Sequence, residues 1–158
     1  MPRHLFLETN SSWQTKKIAG LLASVIKKRV KAENALVFAL TGNLGTGKTT
    51  FVQGFLRAAG IKKKITSPTF AIVKSYKVKS YKDYKKIFHI DCYRIEKLKE
   101  LSGLGLKEIL NNPENIVLIE WPERIKKILP KDLIWIKFEY GEKINQRIIT
   151  ILSKRSSG

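Results

Sequence analysis

The chain has one cysteine, one methionine, five prolines and only 13 acidic residues among its 158. A single thiol, Cys92, allows no internal disulfide, which suits a reducing compartment and leads us to expect a cytoplasmic protein. No apolar stretch approaches the roughly 20 residues of a membrane span, and Met1 to Glu8 lacks the pattern of a signal peptide. Repeats, low-complexity segments and long linkers are also missing. The shortage of acid is the most unusual feature: 31 Lys and Arg against 13 Asp and Glu leave a net charge of +18. A field of that sign favours polyanions, with RNA or an acidic partner surface as the candidates. Only seven of the 31 are arginine and the lysines are spread along the chain, so a solvated basic coat accounts for the charge equally well.

What is present is a hydrophobic fraction of 43%, enough for one globular domain over residues 1–152, with 153–158 expected to form a disordered tail. The chain is organised around Gly42-Asn43-Leu44-Gly45-Thr46-Gly47-Lys48-Thr49, which matches the P-loop pattern of Gly, four residues, Gly-Lys-Ser/Thr. Ala35 to Leu40 upstream reads as a buried strand, and Thr50 to Leu56 continues downstream at helical spacing. In that setting the loop amides and the helix N-terminus form a nest for phosphates. Lys48 neutralises the outer phosphate oxygens, and the Thr49 hydroxyl is placed for Mg²⁺.

Elsewhere, Ser11 and Gln14 have capping-box spacing ahead of a helix from about Ser12 to Arg29, whose apolar stripe is Ile18, Leu21, Leu22, Val25 and Ile26. The helix after Lys48 ends near Gly60. Strands are expected over Ala71 to Val78 and Ile87 to Ile90, the two antiparallel, so the sheet should be mixed. Short helices follow over Ile95 to Leu101 and Leu104 to Leu110. A buried strand spans Asn115 to Ile119, and a helix runs from Pro122 to about Leu129. Leu133 to Tyr140 and Gln146 to Leu152 close the chain as a β-hairpin.

Two of these strands end in a carboxylate, Asp91 and Glu120, and ligands gather beyond the carboxyl ends of such strands. Hydrolysis at a P-loop needs acids there to hold Mg²⁺ and position water. Thr69, held in a loop by Pro68, is a third candidate, able to contact the metal or the γ-phosphate. Tyr93, Arg94 and Trp121 read as packing or surface residues, and His89 as a hydrogen-bonded core histidine. No Asn-Lys-x-Asp guanine-reading motif occurs, which leaves ATP as the nucleotide. No arginine-rich lid follows Asp91. A small-molecule or nucleoside kinase, and a basic RNA-binding module with structural nucleotide, remain the alternatives.

Taken together, Gly42 to Thr50, Ser67-Pro-Thr-Phe70, His89-Ile-Asp-Cys-Tyr-Arg94 and Glu120-Trp-Pro-Glu123 resemble the TsaE family, bacterial ATPases of tRNA threonylcarbamoyladenosine formation. The resemblance covers nearly the whole chain. It implies an α/β P-loop NTPase fold with a mixed sheet flanked by helices, and an ATPase that is weak alone and works with the TsaD and TsaB proteins. Those partners modify adenosine 37 of tRNAs reading codons that begin with A. By position, the resemblance makes Lys48 and the loop amides of Asn43 to Thr50 phosphate contacts. Thr49 and Glu120 become Mg²⁺ ligands, and Asp91 a carboxylate near metal and water. Thr69 falls in one switch segment and Glu120-Trp121 in another. Ser12, Thr15 and Arg147 are candidate adenine contacts. Phe70 and Cys92 stand where the family often has tyrosine and leucine, changes that preserve bulk or burial.

Overall fold

The computed structural model describes residues 3–66 and 72–153. Seven strands and three α-helices alternate as β1 (Arg3–Thr9), α1 (Ser12–Ile26), β2 (Leu36–Gly42), α2 (Lys48–Ala58), β3 (Val73–Lys77), β4 (Lys86–Asp91), α3 (Leu106–Asn111), β5 (Asn115–Glu120), β6 (Ile134–Tyr140) and β7 (Arg147–Ser153). Short 3-10 helices lie at Leu98–Leu101 and Pro122–Ile128. All strands join one sheet in the order β1-β7-β6-β2-β5-β4-β3. The central strands β4, β5, β2 and β6 run parallel, and β3, β7 and β1 are antiparallel to their neighbours. The sheet is therefore mixed, as the short polar link between β3 and β4 led us to expect.

Alternation on the central strands sends side chains into two cores. Leu36, Phe38 and Leu40 of β2, with Ile116 and Leu118 of β5, pack beneath α1 and α2. Val37 and Ala39, with Val117 and Ile119, pack on the other face against Leu101, Leu106, Leu110 and Ile125. Every residue of β5 is buried, which is why Ile116 to Ile119 reads as an unbroken apolar run.

Several boundaries differ from expectation. Helix α1 stops at Ile26 rather than Arg29 and buries Thr15, Ala19, Ala23 and Ile26, while Leu21 and Val25 stay exposed. The reason is close packing on α2: a Cβ on Gly54 would lie 2.5 Å from the Lys16 carbonyl oxygen, so small residues sit at the closest approach, with Ile18 and Leu22 only partly buried beside it. Ser11 caps α1 by accepting from the Gln14 amide at 3.2 Å, but Gln14 Oε1 accepts from Asn10 N at 2.6 Å, one residue before the cap. Helix α2 ends in a Schellman pair, Gly60 N–H to Arg57 O and Ile61 N–H to Leu56 O, both 3.0 Å, with Gly60 at φ 93°. Of the expected helices at 95–101 and 122–129, only Leu98–Leu101 and Pro122–Ile128 are helical, both as 3-10 helices, the second kinked at Ile125. Strand β1 was not expected at all. It is an edge strand, mostly exposed, whose register comes from β7. Ser153, placed in the tail by sequence, belongs to β7; residues 154–158 lie outside the described residues. Among the described residues no helix is long and apolar enough to cross a membrane.

Candidate functional site

Strand β2 ends at Gly42, where the chain must turn beside β6. A Cβ there would sit 2.4 Å from the Phe138 carbonyl oxygen, and φ is 147°, so only glycine fits. The loop is cross-tied by Thr46, which donates from Oγ1 to Asn43 O at 2.6 Å. Gly47, at φ 102°, opens α2 without any side-chain cap. The first amides of α2 therefore have no intrahelical acceptor, and they face a cleft between the loop and the ends of β4 and β5.

Two adjoining cavities make up this cleft. The first, ≈ 390 Å³, is lined by Lys48, Thr49, Asp91, Glu120, Tyr93, Arg94 and Trp121, together with Leu44, Gly45, Gly47 and Thr50. The second, ≈ 330 Å³, is lined by Ser12, Thr15 and Arg147 with Asn10, Ser11 and Asn145, and shares Gly45, Gly47 and Thr50 with the first. Residues that sequence placed at the phosphates thus stand between those placed at the metal and those placed at the adenine. Thr69 lies outside the described residues.

In the first cavity, Lys48 is 5% exposed and donates to Gly42 O at 2.5 Å and Asn43 O at 3.0 Å. Its ammonium also sits 4.1 Å from the centre of the Trp121 ring. Burial pushes its pKa below the ordinary lysine value, with Glu120, Glu123 and Asp91 pulling the other way. The Thr49 hydroxyl donates to Glu120 Oε1 at 2.7 Å, and Glu120 Oε2 meets His89 Nε2 at 2.5 Å. Asp91 and Glu120 are register partners on parallel strands, so both side chains leave the sheet at the same level. Asp91 Oδ1 accepts from the Tyr93 amide at 3.0 Å. Thr41 and Glu123 hydrogen-bond beneath the loop, adding a carboxylate close to Lys48.

In the second cavity, the Thr15 hydroxyl is buried and hydrogen-bonded to Thr9 Oγ1 at 3.0 Å, so it shapes the wall. Arg147 stacks 4.8 Å over Tyr140 and reaches Gly45 O at 3.4 Å, while the Tyr140 hydroxyl donates to Leu44 O. The hairpin of β6 and β7 is thereby fastened to the loop. Ser12 is exposed at the mouth.

Sequence reasoning treated Tyr93, Arg94 and Trp121 as packing or surface residues. Tyr93 and Trp121 pack together at 4.9 Å and, with Arg94, form the cavity wall. Trp121 has φ 58°, the one positive φ of a non-glycine among the described residues, a conformation costing about 1–3 kcal/mol. Its place directly after a strand-end acid was the available signal. His89 is a buried, hydrogen-bonded histidine as read, but its partner is the candidate metal ligand, and its Nδ1 has no partner. Tyr140, Asn10 and Asn145 carried no local signal.

Comparison with known proteins agrees with the resemblance. The tRNA threonylcarbamoyladenosine biosynthesis protein TsaE of Rickettsia felis is 36% identical over 93% of this chain and 79% of its own length. Its namesake in Haemophilus influenzae is 32% identical, covering 90% and 83%. The crystal structure of Bacillus subtilis YdiB superposes with a TM-score of 0.74 at 29% identity, covering 97% of this chain and 87% of that one. The model of the threonylcarbamoyl adenosine biosynthesis protein TsaE matches residues 9–149, and the chain belongs to the TsaE family.

Proposed function

We propose that the protein is a Mg²⁺-dependent ATPase of the P-loop NTPase fold, acting in the cytoplasm to support turnover of the TsaD–TsaB complex that forms N6-threonylcarbamoyladenosine at position 37 of tRNA. The observation that carries this reading is the Thr49–Glu120 hydrogen bond, which joins the end of the glycine-rich loop to a strand-end carboxylate beside Lys48. A loop without that second carboxylate would bind phosphate and do no more.

The residues fit both groups. Uncapped amides at the start of α2 and a buried ammonium suit a polyphosphate. Among the described residues no cluster of three or more His, Cys, Asp or Glu could hold a metal ion unaided. Mg²⁺ normally takes one or two protein ligands and completes its shell from phosphates and water, and Thr49 with Glu120 meets that need. Bound MgATP supplies the phosphoanhydride and the charge that neutralises its oxygens. Lys48, which donates to Gly42 O and Asn43 O, would supply its ammonium to the phosphate oxygens. Thr49 and Glu120, adjacent at 2.7 Å, would hold the cation. Asp91, anchored by the Tyr93 amide, would hold the attacking water. Ser12 and Arg147, which line the second cavity, would border the base.

Phosphate release measured with TsaD and TsaB should fall at least tenfold in Lys48→Ala and in Glu120→Ala proteins that retain the native melting transition. Full release by both would refute the assignment. Label from γ-labelled ATP appearing on an organic acceptor, rather than as free phosphate, would favour a kinase instead.

A further inference from the structure

On the outer side of the two helices that flank the loop runs a groove of ≈ 580 Å³ that shares no lining residue with the nucleotide cleft. Its floor is Gly20, Gly54 and Ala58, where α1 and α2 touch closely, and its walls carry Trp13, Lys16, Lys17, Arg57 and Lys64. Trp13 is 65% exposed, and the Lys17 ammonium lies 5.0 Å from its ring centre. Among the described residues, Lys16, Lys17 and Lys64 have no carboxylate partner.

The surroundings are unusual in charge. Lysines occur along the whole chain, but acids do not: residues 9–82 contain 15 Lys and Arg and a single acid, Glu33. Neither α1 nor α2 contains an acidic residue. The groove is accordingly lined by four basic residues and no acid, and their fields add up.

We propose that this groove binds RNA, holding the phosphate backbone with Lys16, Lys17, Arg57 and Lys64 while an unpaired base stacks on Trp13. An acidic protein would match the charge. An exposed indole set between lysines has no use for carboxylates, however, whereas it is the usual platform for a base in single-stranded RNA. The pathway of this family, which modifies an adenosine, makes RNA the polyanion at hand. The inference rests on family membership and not on hydrolysis. Because the groove and the cleft share no lining residue, RNA and nucleotide can be bound together.

The test is fluorescence anisotropy of labelled unmodified tRNA with the full chain between 50 and 300 mM KCl. The triple variant K16E/K17E/K64E should bind at least tenfold more weakly and lower the slope of log K against log salt by about 2, from 0.7 to 0.9 per lost contact. A control with the same charge change on the other side of the sheet, K126E/K127E/K131E, should lose less than threefold. Trp13→Ala should lose at least fivefold, since stacking on an aromatic is worth about 1–3 kcal/mol per base. Binding of a fluorescent ATP analogue should be unchanged in all three, which separates this result from any failure of the ATPase reading. Equal losses in the two triples, an indifferent Trp13→Ala, or no tRNA binding by the unaltered protein would overturn the proposal. So would displacement of tRNA by polyglutamate at equal charge, which would indicate an acidic protein.

Discussion

Glu120 has each carboxylate oxygen held by a different group, Thr49 on one side and His89 on the other, and it is 2% exposed. The sequence pointed to Glu120 through its place at the end of an apolar run. It could not show that His89, 31 residues earlier, lies directly behind it. That contact exists because β4 and β5 pair in parallel with His89 opposite Leu118 and Asp91 opposite Glu120. Burial also sets a pH dependence. The Cys92 thiol is pushed up to about 12, by burial first and then by Asp91 and Glu123, and burial raises the Tyr81 phenol to about 12. In the unfolded chain these groups ionise from their ordinary values of 9.0 and 10.0, while the folded protein keeps both neutral. Their contribution is thus complete below pH 9 and is lost as pH rises towards 12. Lys48 acts in the opposite sense, the cost of its buried charge easing as pH rises towards 10.5. Urea midpoints measured from pH 8 to 11 should fall steeply for the native protein and less steeply for Cys92→Ala/Tyr81→Phe. Parallel curves would contradict this account.

At the scale of elements, what decides α1 is the way it packs on α2. Its sequence offers two apolar faces, one of large residues and one of small. Of the large-residue stripe Ile26 is buried and Ile18 and Leu22 pack against the core, but Leu21 and Val25 are exposed, and Ala19 and Ala23 are inside because the helices approach until Gly54 touches the Lys16 backbone. Gly54→Ala should therefore destabilise the protein by about 1–3 kcal/mol, although alanine is the better helix former, because a Cβ would meet backbone that cannot move aside. A denaturation midpoint equal to or above that of the native protein would show that the helices separate easily. The elements read correctly were those with a local cause: the loop, the buried runs of β2 and β5, and the terminal hairpin. Those misjudged had none. Strand β1 is too exposed to show an alternation, and the 122–128 segment is a 3-10 helix kinked at Ile125 and entered through Trp121 in the left-handed conformation.

Over the whole molecule, the charge of +18 is unevenly distributed, with 12 of the 13 acids outside residues 9–82. The like charges of Lys16, Lys17, Arg57 and Lys64 around one groove should repel, and salt should relieve the strain. The melting temperature should rise by several degrees between 20 and 300 mM NaCl, and rise less in K16E/K17E/K64E; a flat response by thermal denaturation would mean the lysines are too far apart to interact. The sequence by itself determined the glycine-rich loop between β2 and α2, the two strand-end acids and the family, since each depends on residues adjacent in the chain and on fixed local geometry. Only the tertiary structure decided which acid meets Thr49, that Trp121 shelters Lys48, and that lysines from α1 and from the segment after α2 share one groove. Those contacts join residues from distant parts of the chain, and their positions follow from strand register and helix packing, which no local pattern encodes.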